Sequence, residues 1–193
     1  MIQSQFNSVD PPCNTAELLQ LIEAGWLPKY LCFWGHRAKS GGSIGKHVLS
    51  QWWNCRFEID GITYLSTEHY MMAEKARLFA DDDALRRILQ AASPGAAKAF
   101  GRDVRNFDDA AWEEARFDIV VRGNLGKFGQ NEALRDYLLT TGDKILVEAS
   151  PVDCIWGIGL AAADPRAEDP KQWQGANLLG FALMQVRAKV RSS

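Results

Sequence analysis

The clearest amphipathic pattern in the chain lies between Tyr64 and Phe79. Ser66 and Thr67 are residue types that favour the first position of a helix, and strong helix formers follow them. Apolar residues then recur at three- and four-residue spacing, which is typical of a helix with one buried face. These residues are Tyr70, Met72, Ala73, Ala76 and Phe79. The pattern predicts a helix that begins near Glu68.

Two charged residues, Glu68 and Lys75, lie on this predicted helix. They are seven residues apart, so their side chains would point within about 20° of each other. A carboxylate and an amine on a largely buried helix are costly unless they are paired or used in chemistry. The alternative is a first-turn acid that the helix dipole favours, together with a lysine that buries only its stem. Spacing alone leaves both interpretations open.

Shorter patterns predict a small β component and further helices. Residues 30–34 and 144–149 are apolar runs of strand length, and residues 56–64 alternate about Asp60-Gly61, a dipeptide typical of hairpin turns. Residues 163–175 are rich in proline and charge, which predicts a loop. Cap residues and apolar spacing predict the other helices. These begin at Asn14, at residue 82, at Ser93-Pro94, after Asp108 or Asp109, at residue 132 and around Asn177.

These elements predict a mainly α (α+β) fold, namely a single compact domain of several helices with a small β-hairpin or sheet component. The length of 193 residues suits one domain, and 47% hydrophobic residues with seven tryptophans can form a sizeable core. We expect residues 1–28 to form an N-terminal extension with a short helix and residues 29–193 to form the domain itself.

Charge and cysteine content narrow the classes of function. A net charge of −2 without a long basic block argues against a dedicated nucleic-acid-binding protein. The four cysteines form no CxxC pair, which predicts reduced and mostly buried thiols in a cytosolic protein. The N-terminus lacks a signal-peptide pattern, and no apolar run approaches membrane-spanning length. We therefore expect a cytoplasmic protein that does not act at membranes.

The segment after the second predicted strand, residues 150–159, contains Asp153 and Trp156 between glycines and polar turn residues. A carboxylate can bind hydroxyl groups and an indole can stack on a flat ring, so the pair suits a polyhydroxylated ligand with an aromatic base. The alternative is a turn-forming aspartate and a core tryptophan. Both interpretations stay open at this stage.

Three more residues are candidates for ligand contact. Trp112 lies early in its predicted helix, where its side chain is either packed in the core or available to stack on a ligand. Arg102 can pair with a phosphate through two hydrogen bonds or remain solvated. His36 belongs to the glycine-rich basic segment 35–45, which could cradle a phosphate although it lacks the spacing of a known phosphate-binding loop. The histidines show no metal-ligand spacing and no GxGxxG motif occurs, so we expect neither a metal nor a cofactor.

Several segments together resemble the NADAR superfamily, the YbiA-like N-glycosidases. The similarity extends from Phe33 to about Arg191, and the order and spacing of the segments make it specific. Its centre is a hairpin followed by the family pattern S/T-x-E-H-x-M/F-x-x-x-K. The matching segments are residues 61–75, residues 97–102, Trp112 with Arg116, Lys127-Phe128, residues 146–148 and 153–157, residues 175–180, Leu183-Met184 and Arg187.

The resemblance implies cleavage of N-glycosidic bonds. The substrate would be a ribosylamino-pyrimidine phosphate from early riboflavin biosynthesis or ADP-ribose attached to a nucleobase, so nucleic acid would enter only as an ADP-ribosylated substrate. Glu68 and Asp153 would be catalytic, with Lys75 a further candidate. The expected substrate-binding residues are Trp112, Trp156, Gly157, Arg102, His36 and Asn177.

The chain departs from the family pattern in two places. Ser50-Gln51-Trp52 stands where many relatives have Ser-Asn-Phe, and Trp156-Gly-Ile-Gly159 stands where some have Trp-Gly-Asp-Gly. Because the second change removes a carboxylate, the substrate of one branch of the family cannot simply be assigned to this chain.

Cleavage of a ribosyl C–N bond passes through an oxocarbenium-like state. Glu68 at a helix N-terminus would stabilise that charge, and Asp153 would act as general acid or as base for water. Lys75 offers another route, by attack on the anomeric carbon and formation of a Schiff base. Two non-catalytic alternatives remain: a module that binds ADP-ribose or NAD, and a structural domain that binds a protein partner.

Overall fold

The computed structural model describes residues 11–37 and 43–192. It divides the chain into two units, each of which is described by itself: a central unit, Gly35–Arg135, and a terminal unit formed by Met1–Trp34 with Asp136–Ser193. The elements in chain order are α1 (Thr15–Glu23), β1 (Tyr30–Phe33), β2 (Phe57–Ile59), β3 (Ile62–Tyr64), α2 (Thr67–Leu78), α3 (Asp82–Leu89), α4 (Pro94–Arg102), α5 (Asp109–Gln130), α6 (Glu132–Thr140), β4 (Ile145–Glu148) and α7 (Leu178–Ser192).

The predicted fold class is confirmed, since helices dominate the described residues and strands are few and short. Local cap chemistry explains why the helix starts were predictable. The Asn14 side chain accepts a hydrogen bond from the Glu17 amide, and the carboxylate of Glu17 accepts one from the Cys13 amide. Ser66 and Ser93 cap α2 and α4 in the same way, through the amides of His69 and Ala96.

Three features add detail to the elements that the sequence predicts. Helix α5 extends to Gln130, because the packing of its buried face outweighs the low helix propensity of three glycines. The predicted loop 163–175 contains two short 3-10 turns, Pro165–Glu168 and Pro170–Gln172. A third 3-10 turn, Lys46–Leu49, follows the glycine-rich segment.

Helix α2 is the centre of the central unit. It packs against α3, α4 and α5, and eight of its residues are buried. The hairpin β2–β3 leads into it, with Asp60 and Gly61 both at positive φ, as a two-residue hairpin turn requires. This arrangement places the N-terminal end of α2, with Glu68, inside the unit.

The terminal unit contains a parallel pair of strands. β1 and β4 align in register from Tyr30 opposite Ile145 to Phe33 opposite Glu148. Helix α7 packs on β4, and a Cβ atom at Gly180 would lie 2.0 Å from the Leu146 carbonyl oxygen. The glycine therefore allows the close approach of helix and strand, which anchors the loop that follows β4.

Two further expectations concern exposure. All four cysteines lie in the described part of the chain and none forms a disulfide, but three are only half-buried and Cys154 is exposed. The prediction of mostly buried thiols is therefore wrong, because Cys32 lies on the short strand β1 and the other three cysteines lie in connections rather than on the buried faces of helices. No helix in the described residues combines the length and the apolarity needed to cross a membrane.

Candidate active site

Glu68 lies in the first turn of α2 and is 3% exposed. Its backbone amide donates a hydrogen bond to the Gln51 carbonyl oxygen at 3.1 Å, and the Thr67 hydroxyl donates to the same oxygen at 3.2 Å. The segment before the hairpin thus fixes the start of the helix. Because the positive end of a helix dipole favours negative charge, the dipole offsets part of the cost of placing a carboxylate where water is largely excluded.

Lys75 lies two turns further along α2, and its side chain is half-buried. The ammonium group donates a hydrogen bond to the Gly101 carbonyl oxygen at 2.9 Å. Desolvation lowers the pKa of Lys75, although the charge of Asp109 opposes this effect. A Cβ atom at Gly101 would lie 2.1 Å from the sulfur of Met72, so a glycine at this position lets α4 approach α2 closely.

Two aromatic rings lie beside the same amine. The Lys75 nitrogen is 4.0 Å from the centre of the Phe107 ring and 5.8 Å from that of Trp112. Phe107 is 39% exposed, and its ring packs edge-on against Phe79 with their centres 5.2 Å apart. An amine between a carbonyl oxygen and aromatic faces is oriented and partly dehydrated. Dehydration favours the neutral, nucleophilic form, whereas the two kinds of contact favour the charged form.

Sequence reasoning did not identify Phe107. The residue stands alone among polar neighbours in the connection from α4 to α5, directly after Asn106, which adopts a positive φ. A phenylalanine directly before the helix-capping Asp108 was the available signal, but its proximity to Lys75 depends on packing between α2 and this connection.

The proposed phosphate contacts lie on the surface of the central unit. Arg102 is the last residue of α4 and is exposed. His36 is also exposed, and its ring centre lies 5.6 Å from that of Trp52. Lys98 approaches the same indole, with its nitrogen 5.8 Å from the ring centre. Residues 38–42 of the glycine-rich segment lie outside the described residues, so its suggested phosphate contact stays a prediction.

Asp153 forms a turn in the terminal unit. Its Oδ1 atom accepts hydrogen bonds from the amides of Ile155 at 2.9 Å and Trp156 at 2.8 Å. This is the turn-forming role that the sequence left open. The carboxylate and the Trp156 side chain are only half-buried, so both remain available to a ligand.

Asn177 and Gly157 hold this turn against β4. Asn177 is fully buried, and its amide group pairs with the strand by donating to the Leu146 carbonyl and accepting from the Glu148 amide, each at 2.9 Å. Its backbone amide donates to the Gly157 carbonyl at 3.1 Å. A Cβ atom at Gly157 would lie 2.7 Å from the Glu148 carbonyl oxygen. Direct contact of Asn177 or Gly157 with a substrate stays a prediction.

The structure brings some of the candidate residues of each unit together. In the central unit Lys75 and Trp112 meet and Glu68 lies two turns from Lys75 on α2, whereas Arg102 and His36 lie on the surface. In the terminal unit, backbone and side-chain hydrogen bonds join Asp153, Trp156, Gly157 and Asn177. Across residues 11–37 and 43–192, no group of three His, Cys, Asp or Glu side chains is arranged to hold a metal ion.

Comparison with known proteins shows which family includes the candidate residues of both units. The sequence model of the NADAR domain matches residues 32–191, a range that includes all of these residues. An N-glycosidase of Acanthamoeba polyphaga mimivirus is 43% identical over 164 residues, which cover 82% of this chain and 95% of that protein. The N-glycosidase YbiA of Escherichia coli is 31% identical over 133 residues, which cover 69% of this chain and 74% of that protein.

Two further comparisons concern a solved structure with a similar fold and a relative that is named for riboflavin biosynthesis. The NMR structure of E. coli YbiA matches with a TM-score of 0.67 and 26% identity, covering 86% of this chain and 88% of that chain. The chloroplastic riboflavin biosynthesis protein PYRR of Zea mays is 33% identical over 139 residues, which are 68% of this chain but only 20% of that protein. The chain therefore belongs to the NADAR domain family, as its motifs predicted, and its relatives in that family include named N-glycosidases.

Proposed function

We propose that the protein is an N-glycosidase that hydrolyses the bond between a ribosyl C1 atom and the nitrogen of a base. The proposed substrate is a ribosylamino-pyrimidine phosphate or an ADP-ribosyl nucleobase. The observation that carries the proposal is the arrangement on α2, where a buried carboxylate and a half-buried amine with a lowered pKa lie two turns apart. The similarity to a riboflavin biosynthesis protein favours the first substrate class.

Glu68 is proposed to stabilise the charge that develops on the ribosyl ring. As the bond to the base lengthens, positive charge accumulates at C1 and the ring oxygen. A carboxylate fixed in a water-poor site stabilises that charge without having to reorganise. Its place at a helix N-terminus suits this role better than that of a proton donor.

Lys75 is proposed as the nucleophile of a two-step route. The neutral amine attacks C1, the C1–N bond to the base breaks, and the base leaves after taking up a proton. Loss of the amine proton and opening of the sugar ring then give an imine between Lys75 and C1. Water adds to that imine and releases the sugar as an aldehyde, which regenerates the amine. Burial that lowers the pKa of Lys75 increases the fraction of neutral amine.

Other residues are proposed to bind the substrate or to activate water. Asp153 is a candidate to accept a proton from water or to bind a ribose hydroxyl. The half-buried indoles of Trp112 and Trp156 are candidates to stack on the base. Arg102 and His36, which are exposed and basic, are candidates for phosphate contact.

The deciding experiment incubates the purified protein with 5-amino-6-ribosylaminouracil phosphate and, separately, with ADP-ribosylated nucleotides, and detects the released base by mass spectrometry. Release from the first substrate alone supports a riboflavin-intermediate hydrolase. Release from the second alone supports removal of ADP-ribose. Tight binding with no release from either contradicts the proposal and favours a binding module.

The Schiff-base route has its own test. Turnover in the presence of borohydride should reduce the imine to a stable secondary amine on Lys75, which peptide mass mapping locates. Lys75→Arg should give no adduct, and Lys98→Arg, at a half-buried lysine of α4, serves as the matched control that still gives one. An enzyme that turns over but remains unlabelled would exclude the Lys75 route and leave direct attack by water.

A further inference from the structure

Lys127 is a lysine that the proposed reaction does not use. It lies on α5, is fully buried, and donates a hydrogen bond from its ammonium nitrogen to the Ser50 carbonyl oxygen at 2.8 Å. Desolvation lowers the pKa of Lys127 to about 8. Burying an ammonium ion is costly, and an unbranched apolar side chain such as methionine would occupy a similar volume without that cost. Packing alone therefore does not explain a lysine here.

The residue after Ser50 connects this amine to the candidate active site. The carbonyl oxygen of Gln51 accepts the hydrogen bonds from the Glu68 amide and the Thr67 hydroxyl. Ser50, Gln51 and Thr67 are 7%, 5% and 1% exposed. The linkage from Lys127 through residues 50–51 to the start of α2 is therefore shielded from water along its length. Low exposure strengthens such hydrogen bonds and makes a broken one costly.

A second residue of α5 contacts the same segment. Asn124, one turn before Lys127, is fully buried and directs its side-chain amide towards the Gln51 side-chain oxygen at 3.5 Å, a weak contact. The same amide nitrogen donates to the Val120 carbonyl at 2.9 Å. Two polar side chains on one face of α5 therefore meet residues 50–51, although this face is otherwise part of the core.

We propose that Lys127 is a positioning residue for Glu68. Its bond to the Ser50 carbonyl fixes the Ser50–Gln51 peptide, and the Gln51 carbonyl in turn fixes the first turn of α2 from which the Glu68 carboxylate projects. The effect of this linkage on catalysis rests on the proposed function. The linkage itself is a property of the fold, and its effect on the Glu68 amide can be measured without a substrate.

Amide hydrogen exchange measures the linkage directly. In Lys127→Met the Glu68 amide should exchange at least about tenfold faster relative to the amide of Ala73, in the middle of the same helix, because the Gln51 carbonyl is no longer held. Val121→Ala, a core substitution on the same helix, is the matched control: it should change both amides by the same factor. An unchanged ratio in Lys127→Met would overturn the proposal.

Steady-state kinetics then separate positioning from general loosening. Lys127→Met should lower kcat by at least about tenfold while KM changes less than about threefold, because only the orientation of Glu68 is impaired. Val121→Ala should retain kcat at a temperature where it is folded. Equal losses of kcat in the two variants would contradict the proposal. If the wild-type protein turns over neither substrate, the proposed function fails while the exchange experiment still decides the linkage.

Thr67→Val covers the case in which Lys127→Met does not fold. This nearly isosteric change removes one of the two donors to the Gln51 carbonyl from the α2 side. It should raise the ratio of exchange rates of Glu68 to Ala73 by about two- to fivefold. A ratio equal to that of the wild type would show that this carbonyl does not fix the helix start and would overturn the proposal.

Discussion

The ammonium nitrogen of Lys75 lies 4.0 Å from the centre of the Phe107 ring. The same nitrogen donates to the Gly101 carbonyl oxygen, so a backbone dipole and an aromatic face orient one amine. Desolvation lowers the pKa of Lys75, whereas both contacts and the charge of Asp109 stabilise the charged form. The balance between these effects sets the fraction of neutral amine.

Replacing Phe107 with leucine tests this balance. The leucine still excludes water but removes the ring, so a cation–π stabilisation of about 0.5–1 kcal/mol is lost and the ratio of neutral to charged amine should rise about two- to fivefold. Titration of Lys75 by carbon-detected NMR checks the effect. Phe100→Leu, which removes a ring that contacts Arg87 instead, should leave the titration of Lys75 unchanged. A Lys75 titration that is identical in Phe107→Leu and wild type would contradict the argument.

Glu68→Gln should lower turnover by at least about 100-fold, because the amide cannot stabilise the oxocarbenium charge. The backbone bond from residue 68 to Gln51 is retained, so the protein should stay folded. Release of base, followed by mass spectrometry, measures the loss. Glu74→Gln, on the same helix but ion-paired with Arg77, is the control and should keep most of the activity. Wild-type turnover in Glu68→Gln would show that this carboxylate has no catalytic role.

Asp153→Asn and Asp153→Ala separate charge from turn formation. Asparagine keeps the Oδ1 acceptor for the amides of Ile155 and Trp156, so the free energy of unfolding should change by less than about 0.5 kcal/mol. Alanine removes the acceptor and should cost about 1 kcal/mol. Both should lose turnover if the carboxylate acts on water. Full activity of Asp153→Asn would assign Asp153 to the turn alone.

The buried Lys127 predicts a pH dependence of stability. In the folded protein its pKa is about 8, whereas the unfolded chain keeps the ordinary value near 10.5. Between these values the unfolded state binds more protons, so the free energy of unfolding rises with pH. Relative to Lys127→Met, the wild type should gain about 2 kcal/mol between about pH 7 and about pH 9.5. Urea unfolding at both pH values checks this, and parallel pH curves for the two proteins would contradict it.

Local chemistry in the sequence determined most of the secondary structure. The caps at Asn14, Ser66 and Ser93 bond to amides three residues away, and the Asp60-Gly61 turn depends on its own backbone angles. Such interactions form between neighbours in the chain, so a pattern of residue types suffices to predict them. The exposures of the cysteines were predicted wrongly because burial depends on the packing of whole elements.

The sequence by itself determined the fold class, the family and the identities of Glu68, Lys75 and Asp153 as candidates. Only the tertiary structure decided what surrounds them. The Gly101 carbonyl that accepts a hydrogen bond from Lys75 is 26 residues away along the chain. The Ser50 carbonyl that accepts one from Lys127 is 77 residues away. Contacts over such separations depend on how helices approach one another, which glycines such as Gly101 permit and which no local pattern encodes.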